Sequence, residues 1–362
     1  MNRIFLIASI LVTALVATVY LSGNCASAAD YGGTLPPRLS DYKIFTGDPA
    51  ALIPGNGFQL YELATGLFTD YAEKQRLIKL PAGKTMVVVN DGLPQFPDST
   101  VLVKTFYYFN DKRDTSKGKR LIETRLLIKN NGQWVAGTYV WNETQTDAVL
   151  VNNGSNVPVS WIDENANRNT ISYRIPAPKD CASCHNSSKV LMPVGIKIRN
   201  LNREVVRNNA AINQLQYLQN TGVLNTGNAT RFSQLPNWQN EKYTITERVR
   251  AYLDVNCAHC HNDKGSCSFS SLRFGWEIPL ADTRINNKKD RIIKMMEKGR
   301  MPRIGTTIVD QEALVLIKNI YNNNKTCTHD FCQHRSADHR FYNSAYCRPL
   351  LFLVLFGNPG TW

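Results

Sequence analysis

The chain has 362 residues, 43% of them hydrophobic and 10% aromatic, which is enough to build a real core and excludes wholesale disorder. A formal charge of +13 would suit a nucleic-acid binder, but the N-terminus reads as an export signal and an exported protein rarely meets nucleic acid. The expectation is a protein of the periplasm or another extracytoplasmic space, with no nucleic-acid partner.

The export signal rests on Arg3, an uncharged apolar run from Ile4 to Leu21, and the small residues Ala26, Ser27, Ala28 and Ala29. This is the order of a secretory signal peptide, expected over residues 1–29 with cleavage after Ala28 or Ala29. An uncleaved N-terminal anchor, or lipid attachment at Cys25, fits the same segment, since about 20 apolar residues span a bilayer. No other membrane contact is expected.

Residues 30–175 predict an all-β domain, an antiparallel sandwich or barrel-like fold. After a Gly- and Pro-rich start, LPAGKTMVVVN (80–90), TVLVKTFYYF (100–109), LIETRLLIK (121–129) and WVAGTYVW (134–141) read as strands. NDKRDTSKGK (110–119) and NNG (130–132) read as polar connectors. Trp134, Trp141 and Trp161 could line a sugar site, but they suit the core of a sandwich better.

IPAPKD (175–180) breaks this pattern, and residues 176–240 carry CASCH (181–185) followed by a linker. Within them Ile212, Leu215 and Leu218 are spaced for a helix that Gly222 stops. Residues 241–324 then predict helices. Thr244 with Glu247 forms a capping box ahead of Ile245, Val249 and Leu253. Asp310 caps a second helix that turns Ala313, Leu314, Ile317, Ile320 and Tyr321 inward. Between these helices lie VNCAHCHND (255–263) and a basic segment from Arg284 to Arg303, with eight basic residues against Asp290 and Glu297. That segment is either a solvated helix face or a docking surface for an acidic redox partner.

Residues 325–362 are atypical, holding three of the six histidines and three of the nine cysteines before an apolar LLFLVLF run. They read as a frame-shifted or mis-assigned end; the alternative is a metal-binding appendage.

CASCH and CAHCH share only Cys-x-x-Cys-His, the attachment pattern of c-type haem. Two thiols must reach the two vinyl groups on one edge of the macrocycle, and the next imidazole must lie under the iron. Cys181 and Cys184, and Cys257 and Cys260, are thus expected to form thioethers to two haems, with His185 and His261 as axial ligands. His259, between the second pair, reads as an exposed loop residue. A zinc site or a thioredoxin-like pair would also use Cys-x-x-Cys, but neither accounts for a histidine after both pairs. For the second iron, Met301 in GRMPRIG is the expected sixth ligand, while Met295 and Met296 read as packing. For the first, Met192 in KVLMPVG is a weak candidate and Met86 another; if neither ligates, the position is open. Cys267 has no assigned role.

Residues 244–323 resemble a class I cytochrome c domain: a leading helix, NCAHCH, a loop, a Met-Pro segment and a final helix. SDYKIF, LFTDYAEKQR, ETRLLI, YVWNETQTDA, CASCH and YLDVNCAHCH resemble an uncharacterised family of exported bacterial haem c proteins. The resemblance implies an N-terminal β domain followed by a mainly α-helical, cytochrome c-like domain over 241–324, and no established substrate. The expected function is electron transfer between redox partners, as a carrier or the haem subunit of an oxidoreductase, with no catalytic side chain assigned. The alternatives are a dihaem peroxidase or oxidase with an open first iron, and a β binding module wired to a haem domain.

Overall fold

The computed structural model describes residues 35–227 and 231–326, so the expected signal peptide and the tail beyond Thr326 lie outside the described residues. The chain divides into two compact units, one reaching Ile320 and one starting at Tyr321; all that follows concerns the first.

In chain order the strands are β1 (Gln59–Leu60), β2 (Glu73–Lys79), β3 (Met86–Val87), β4 (Val101–Phe109), β5 (Lys119–Asn130), β6 (Gln133–Trp141), β7 (Ala148–Val151), β8 (Ser155–Ile162) and β9 (Arg168–Ile175). Six of them form one antiparallel sheet in the order β1-β2-β4-β5-β6-β7, and β8 pairs with β9 as a separate hairpin. The NNG connector closes β5 onto β6, with Asn131 and Gly132 both at positive φ (49° and 77°) and Asn130 opposite Gln133. That is the geometry a two-residue hairpin with right-handed strand twist needs. The expected strand over 80–90 shrinks to the two residues of β3, because Pro81 to Lys84 form a turn.

Alternation divides the sheet into two faces. On one, Leu77, Val103, Leu126, Ile128 and Tyr139 pack under Leu39, Tyr42, Ile44, Leu52 and Phe58 from the N-terminal segment. The other face carries two apolar clusters. Ile78 and Leu102 meet Met86, Phe96, Ile198, Leu215 and Leu218 at one end, while Phe106, Tyr108 and Ile122 meet Val159, Trp161, Tyr173 and Ile175 of the β8–β9 hairpin at the other. Trp141 and Trp161 are buried, and Trp134 packs edge-on to Phe96, so all three tryptophans serve the core.

Beyond β9 come α1 (Pro178–Cys184), β10 (Asn186–Ser187), β11 (Val190–Leu191), α2 (Ile198–Leu201), β12 (Glu204–Arg207), β13 (Ala210–Asn213), α3 (Gln214–Asn220) and β14 (Leu224–Asn225). The helix expected around Ile212 starts only at Gln214. Asn208 and Asn209, both at positive φ, turn the preceding residues into the β12–β13 hairpin, and Asn213 then caps α3. β14 pairs in parallel with β3, returning this region to the body of the sheet.

The last helices are α4 (Ile245–Asn256), α5 (Ile285–Glu297) and α6 (Gln311–Thr326). The Thr244–Glu247 capping box is present, and Asp310 accepts a hydrogen bond from Ala313 N–H at 3.1 Å. The expected fold class is nonetheless corrected here. The protein is mainly β, at 28% strand and 22% helix, and has no cytochrome-like helical domain. The physical reason is what the helices pack on. α4 buries Ala251 and Val255 against Leu235, Leu67 and Trp238, and none of the extended element contacts joins two of the three long helices. Asp254 in α4 accepts from Lys197 at 2.8 Å and Arg199 at 3.1 Å, both from the segment beside α2. The helices are appended to the β body rather than bundled together. Among the described residues no helix is long and apolar enough to cross a membrane.

Candidate cofactor site at two converging pentads

The first pentad occupies α1 and the residue after it. Pro178 sits at the first helical position, where its missing N–H costs nothing, and the Asp180 carboxylate accepts from Ala177 N–H at 3.1 Å. α1 and β11 lie on β6, and the Cys181 thiol hydrogen-bonds Thr138 of that strand. Burial raises the Cys181 thiol above its ordinary range, against the pull of Arg125.

His185 ends α1, and the β10–β11 hairpin folds back so that Met192 N–H donates to His185 C=O at 3.1 Å. The His185 Nδ1 lies 2.9 Å from the Met192 carbonyl oxygen. A carbonyl can only accept, so Nδ1 carries the proton and Nε2 keeps its lone pair. This is the carbonyl-oriented imidazole typical of a metal-bound histidine. Burial, reinforced by the Lys104 ammonium, lowers the ring pKa to about 3 and keeps it neutral. The backbone of Met192 is thus committed behind the ring of His185. Met86 is fully buried in the apolar cluster around Phe96 and serves as packing.

The second pentad follows α4 directly. Cys257 N–H and His261 N–H continue the helical pattern onto Leu253 and Cys257 carbonyls, at 3.0 and 2.9 Å. Gly265 is required in the next turn, since a Cβ there would run into the Cys260 carbonyl. Burial pushes the Cys257 thiol up to about 12. His261 stacks edge-on against Phe274, with centroids 5.2 Å apart, and its Nδ1 is buried with no hydrogen-bond partner among the described residues. A buried imidazole nitrogen left unsatisfied calls for a ligand or a solvent molecule. Burial also lowers this ring's pKa, so it is the neutral, ligating form that is favoured.

The two pentads meet. Ser266 Oγ donates to the Ser183 carbonyl at 2.7 Å, and Ser188 N–H donates to the Lys264 carbonyl at 2.9 Å. The donor atoms of Cys184, His259 and Cys260 all lie within 4.8 Å of one another. The thiols of Cys184 and Cys260 share a hydrogen bond, so one proton leaves easily and the second is held; His259 beside Cys260 favours Cys260 as the thiolate. His259, expected on an exposed loop, is half-buried in this group.

A cavity of about 830 Å³ opens at this meeting point. It is lined by Cys184 from the first pentad, Cys257, Cys260 and His261 from the second, and Met295, Met296 and Met301 across from them. Met296 is buried, while Met295 and Met301 are half-buried. The backbone of Met301 is held near the end of α5 by a hydrogen bond to the Met295 carbonyl at 3.2 Å. Lys288, Arg291 and Arg303 from the basic segment also line the cavity, and so does Cys267. The volume falls in the range of cofactor pockets, about 300–1,000 Å³. The donor set of two thiols, an unsatisfied imidazole nitrogen and a thioether fits a covalently attached haem at the second pentad.

Sequence reading found the donors but not their surroundings. Phe274 against His261, the Met192 carbonyl behind His185 and the contact of Cys184 with Cys260 carry no local signal. No family model, curated protein or solved structure matches the chain.

Proposed function

We propose that the protein is an exported c-type haem protein that attaches two haems and passes electrons between redox partners. When bound, each haem supplies one-electron iron chemistry. The observation that carries this reading is the single cavity of about 830 Å³ where Cys184 meets Cys257, Cys260, His261 and Met301. Cys257 and Cys260 would be the thioether residues there, His261 the proximal ligand and Met301 the sixth. Cys181, Cys184 and His185 would play the first three roles at the other pentad. The Met192 carbonyl holds the His185 Nδ1 proton and so presents Nε2 for coordination. With Cys184 and Cys260 in contact, the attachment edges of both cofactors would be neighbours, which favours transfer from one to the other.

The cationic side chains at the cavity, Lys288, Arg291 and Arg303, suit an acidic partner docking at the second site. An open first iron, as in a dihaem peroxidase or oxidase, remains the enzymatic alternative, and carbon monoxide binding to the reduced protein distinguishes it. Paired Cys181→Ser/Cys184→Ser and Cys257→Ser/Cys260→Ser variants should each keep one haem and leave the other pentad's thiols closed to alkylation. Alkylation of all four thiols in the matured wild type would overturn the proposal.

A second reading rests on the Cys184, His259 and Cys260 donors. They supply three of the four ligands that a structural zinc takes, and two cysteine pairs are at hand for the fourth. Zinc at one per chain, removed by a chelator with loss of fold, would favour it.

A further inference from the structure

Between the two apolar clusters on the second face of the sheet runs a row of cations. Arg76 of β2 is directly opposite Lys104 of β4, and Lys104 is directly opposite Arg125 of β5. Lys74 lies two residues along β2 on the same face, paired with Phe106. Like charges placed directly across strands are destabilising, and half-burial between apolar clusters raises their cost.

The acidic residues nearby are already engaged. Glu123 is fully buried and takes the Arg125 guanidinium in a two-pronged pair, with Tyr173 donating to it as well. Glu62 binds Arg207 at 2.9 Å and Glu73 binds Lys112 at 3.1 Å. Lys74 donates to the Ala72 carbonyl at 2.7 Å. Lys104 stands 4.9 Å over the Phe106 ring, which Arg125 also faces at 4.4 Å. Among the described residues, neither Lys104 nor Arg76 reaches a carboxylate within ion-pair distance. The row adjoins the first pentad, since Cys181 contacts Thr138 next to Arg125 and Lys104 acts electrostatically on His185.

We propose that Arg76 and Lys104, with Lys74 beside them, form a binding site for an oxyanion next to the first pentad. Arg76 offers a planar fork for two oxygens and Lys104 a point charge, and both are half-buried, so an anion approaching from solvent can reach them. Two sources share this chemistry: the carboxylates of a haem attached at Cys181 and Cys184, or a free anion arriving as ligand or substrate. The first source rests on the haem proposal; the site itself does not.

The test is thermal melting of the full chain, haem-free and haem-loaded, in sodium phosphate against sodium chloride at matched ionic strength. The haem-free wild type should gain about 2–4 °C in phosphate, saturably. Arg76→Gln and Lys104→Gln should each lose that gain and melt no lower than wild type in chloride, because each removes a repelled charge. Lys84→Gln, at an exposed site off the row, should keep the gain. If the gain disappears on haem loading, the cofactor's carboxylates are the anion; if it persists, a free oxyanion is. An equal response to phosphate and chloride in the haem-free wild type would overturn the site. So would a phosphate gain that survives in both Arg76→Gln and Lys104→Gln. A chain that takes up no haem but shows the gain would sink the haem reading and leave the anion site standing.

Discussion

Asp70 and Thr307, 237 positions apart in the chain, are clasped side chain to backbone. Thr307 N–H donates to the Asp70 carboxylate at 2.8 Å, Thr307 Oγ1 donates at 2.8 Å and Ile308 N–H at 3.2 Å. Asp70 is 1% exposed and sits at a positive φ of 51°, a conformation that non-glycine residues hold only when the surroundings fix it. The clasp anchors the loop after Met301 to the turn before β2.

Removing that carboxylate should loosen the Met301 loop. Asp70→Ala is expected to cost about 2–3 kcal/mol, given that hydrogen bonds to charged groups contribute about 1.5–3 kcal/mol and the orphaned Thr307 N–H adds to the loss. Urea unfolding of the haem-free chain measures it. A midpoint equal to wild type would show the clasp to be inert.

Met301 and Met296 should separate ligation from packing. Met301→Ala is expected to lower the reduction potential of one haem and open it to carbon monoxide, with little change in stability. Met296→Ala, at a 5% exposed site, should cost about 2–5 kcal/mol and leave the potential near wild type. Redox titration and urea unfolding of both variants read the split; a potential that follows Met296 instead would assign the ligand wrongly.

The basic segment should act through long-range attraction. Lys288→Glu/Lys289→Glu/Lys294→Glu is expected to slow electron transfer to an acidic partner at low salt, with the difference fading as the Debye length shrinks from about 30 Å at 0.01 M to about 8 Å at 0.15 M. Stopped-flow rates across that range test it. A salt-independent difference would mean that the helix matters for something other than charge.

The cation row makes a pH prediction. Burial, and then Arg76, lower the Lys74 pKa to about 7; Lys112 and Arg125 act in the same direction and Glu73 opposes them. Lys104 is lowered as well, by burial, Arg76, Arg125 and Lys74. A lysine depressed in the folded state binds fewer protons there than in the unfolded chain. Stability should therefore rise with pH between about 7 and the unfolded lysine value near 10.4, by at most about 1.4 kcal/mol per unit for each such lysine. Lys74→Met should flatten part of that rise in the haem-free chain. An unchanged slope would remove Lys74 from the account.

What could be read from the sequence was local. The apolar and β-branched runs at 101–109, 119–130 and 133–141 form strands, NNG forms a hairpin turn, and Thr244, Glu247 and Asp310 cap their helices. Each depends on interactions within a few residues. The Asn208–Asn209 turn was also local, but it was overshadowed by the helical spacing of Ile212, Leu215 and Leu218. The fold of the C-terminal region was not legible, because helical periodicity shows which side of α4 is apolar and not what it packs on. Its partners are Leu67 and Leu235, with Lys197 and Arg199 reaching Asp254. The pentads themselves were plain, yet the contact of Cys184 with Cys260, 76 positions apart, depends on α1 lying on β6 while α4 docks separately.

The central claim is tested most directly by haem per chain, from pyridine haemochrome absorbance of protein matured in a host that attaches c-type haem. The account predicts two haems per chain, falling to one when either cysteine pair is changed to serine. No haem, with one zinc per chain bound through Cys184, His259 and Cys260, would contradict it.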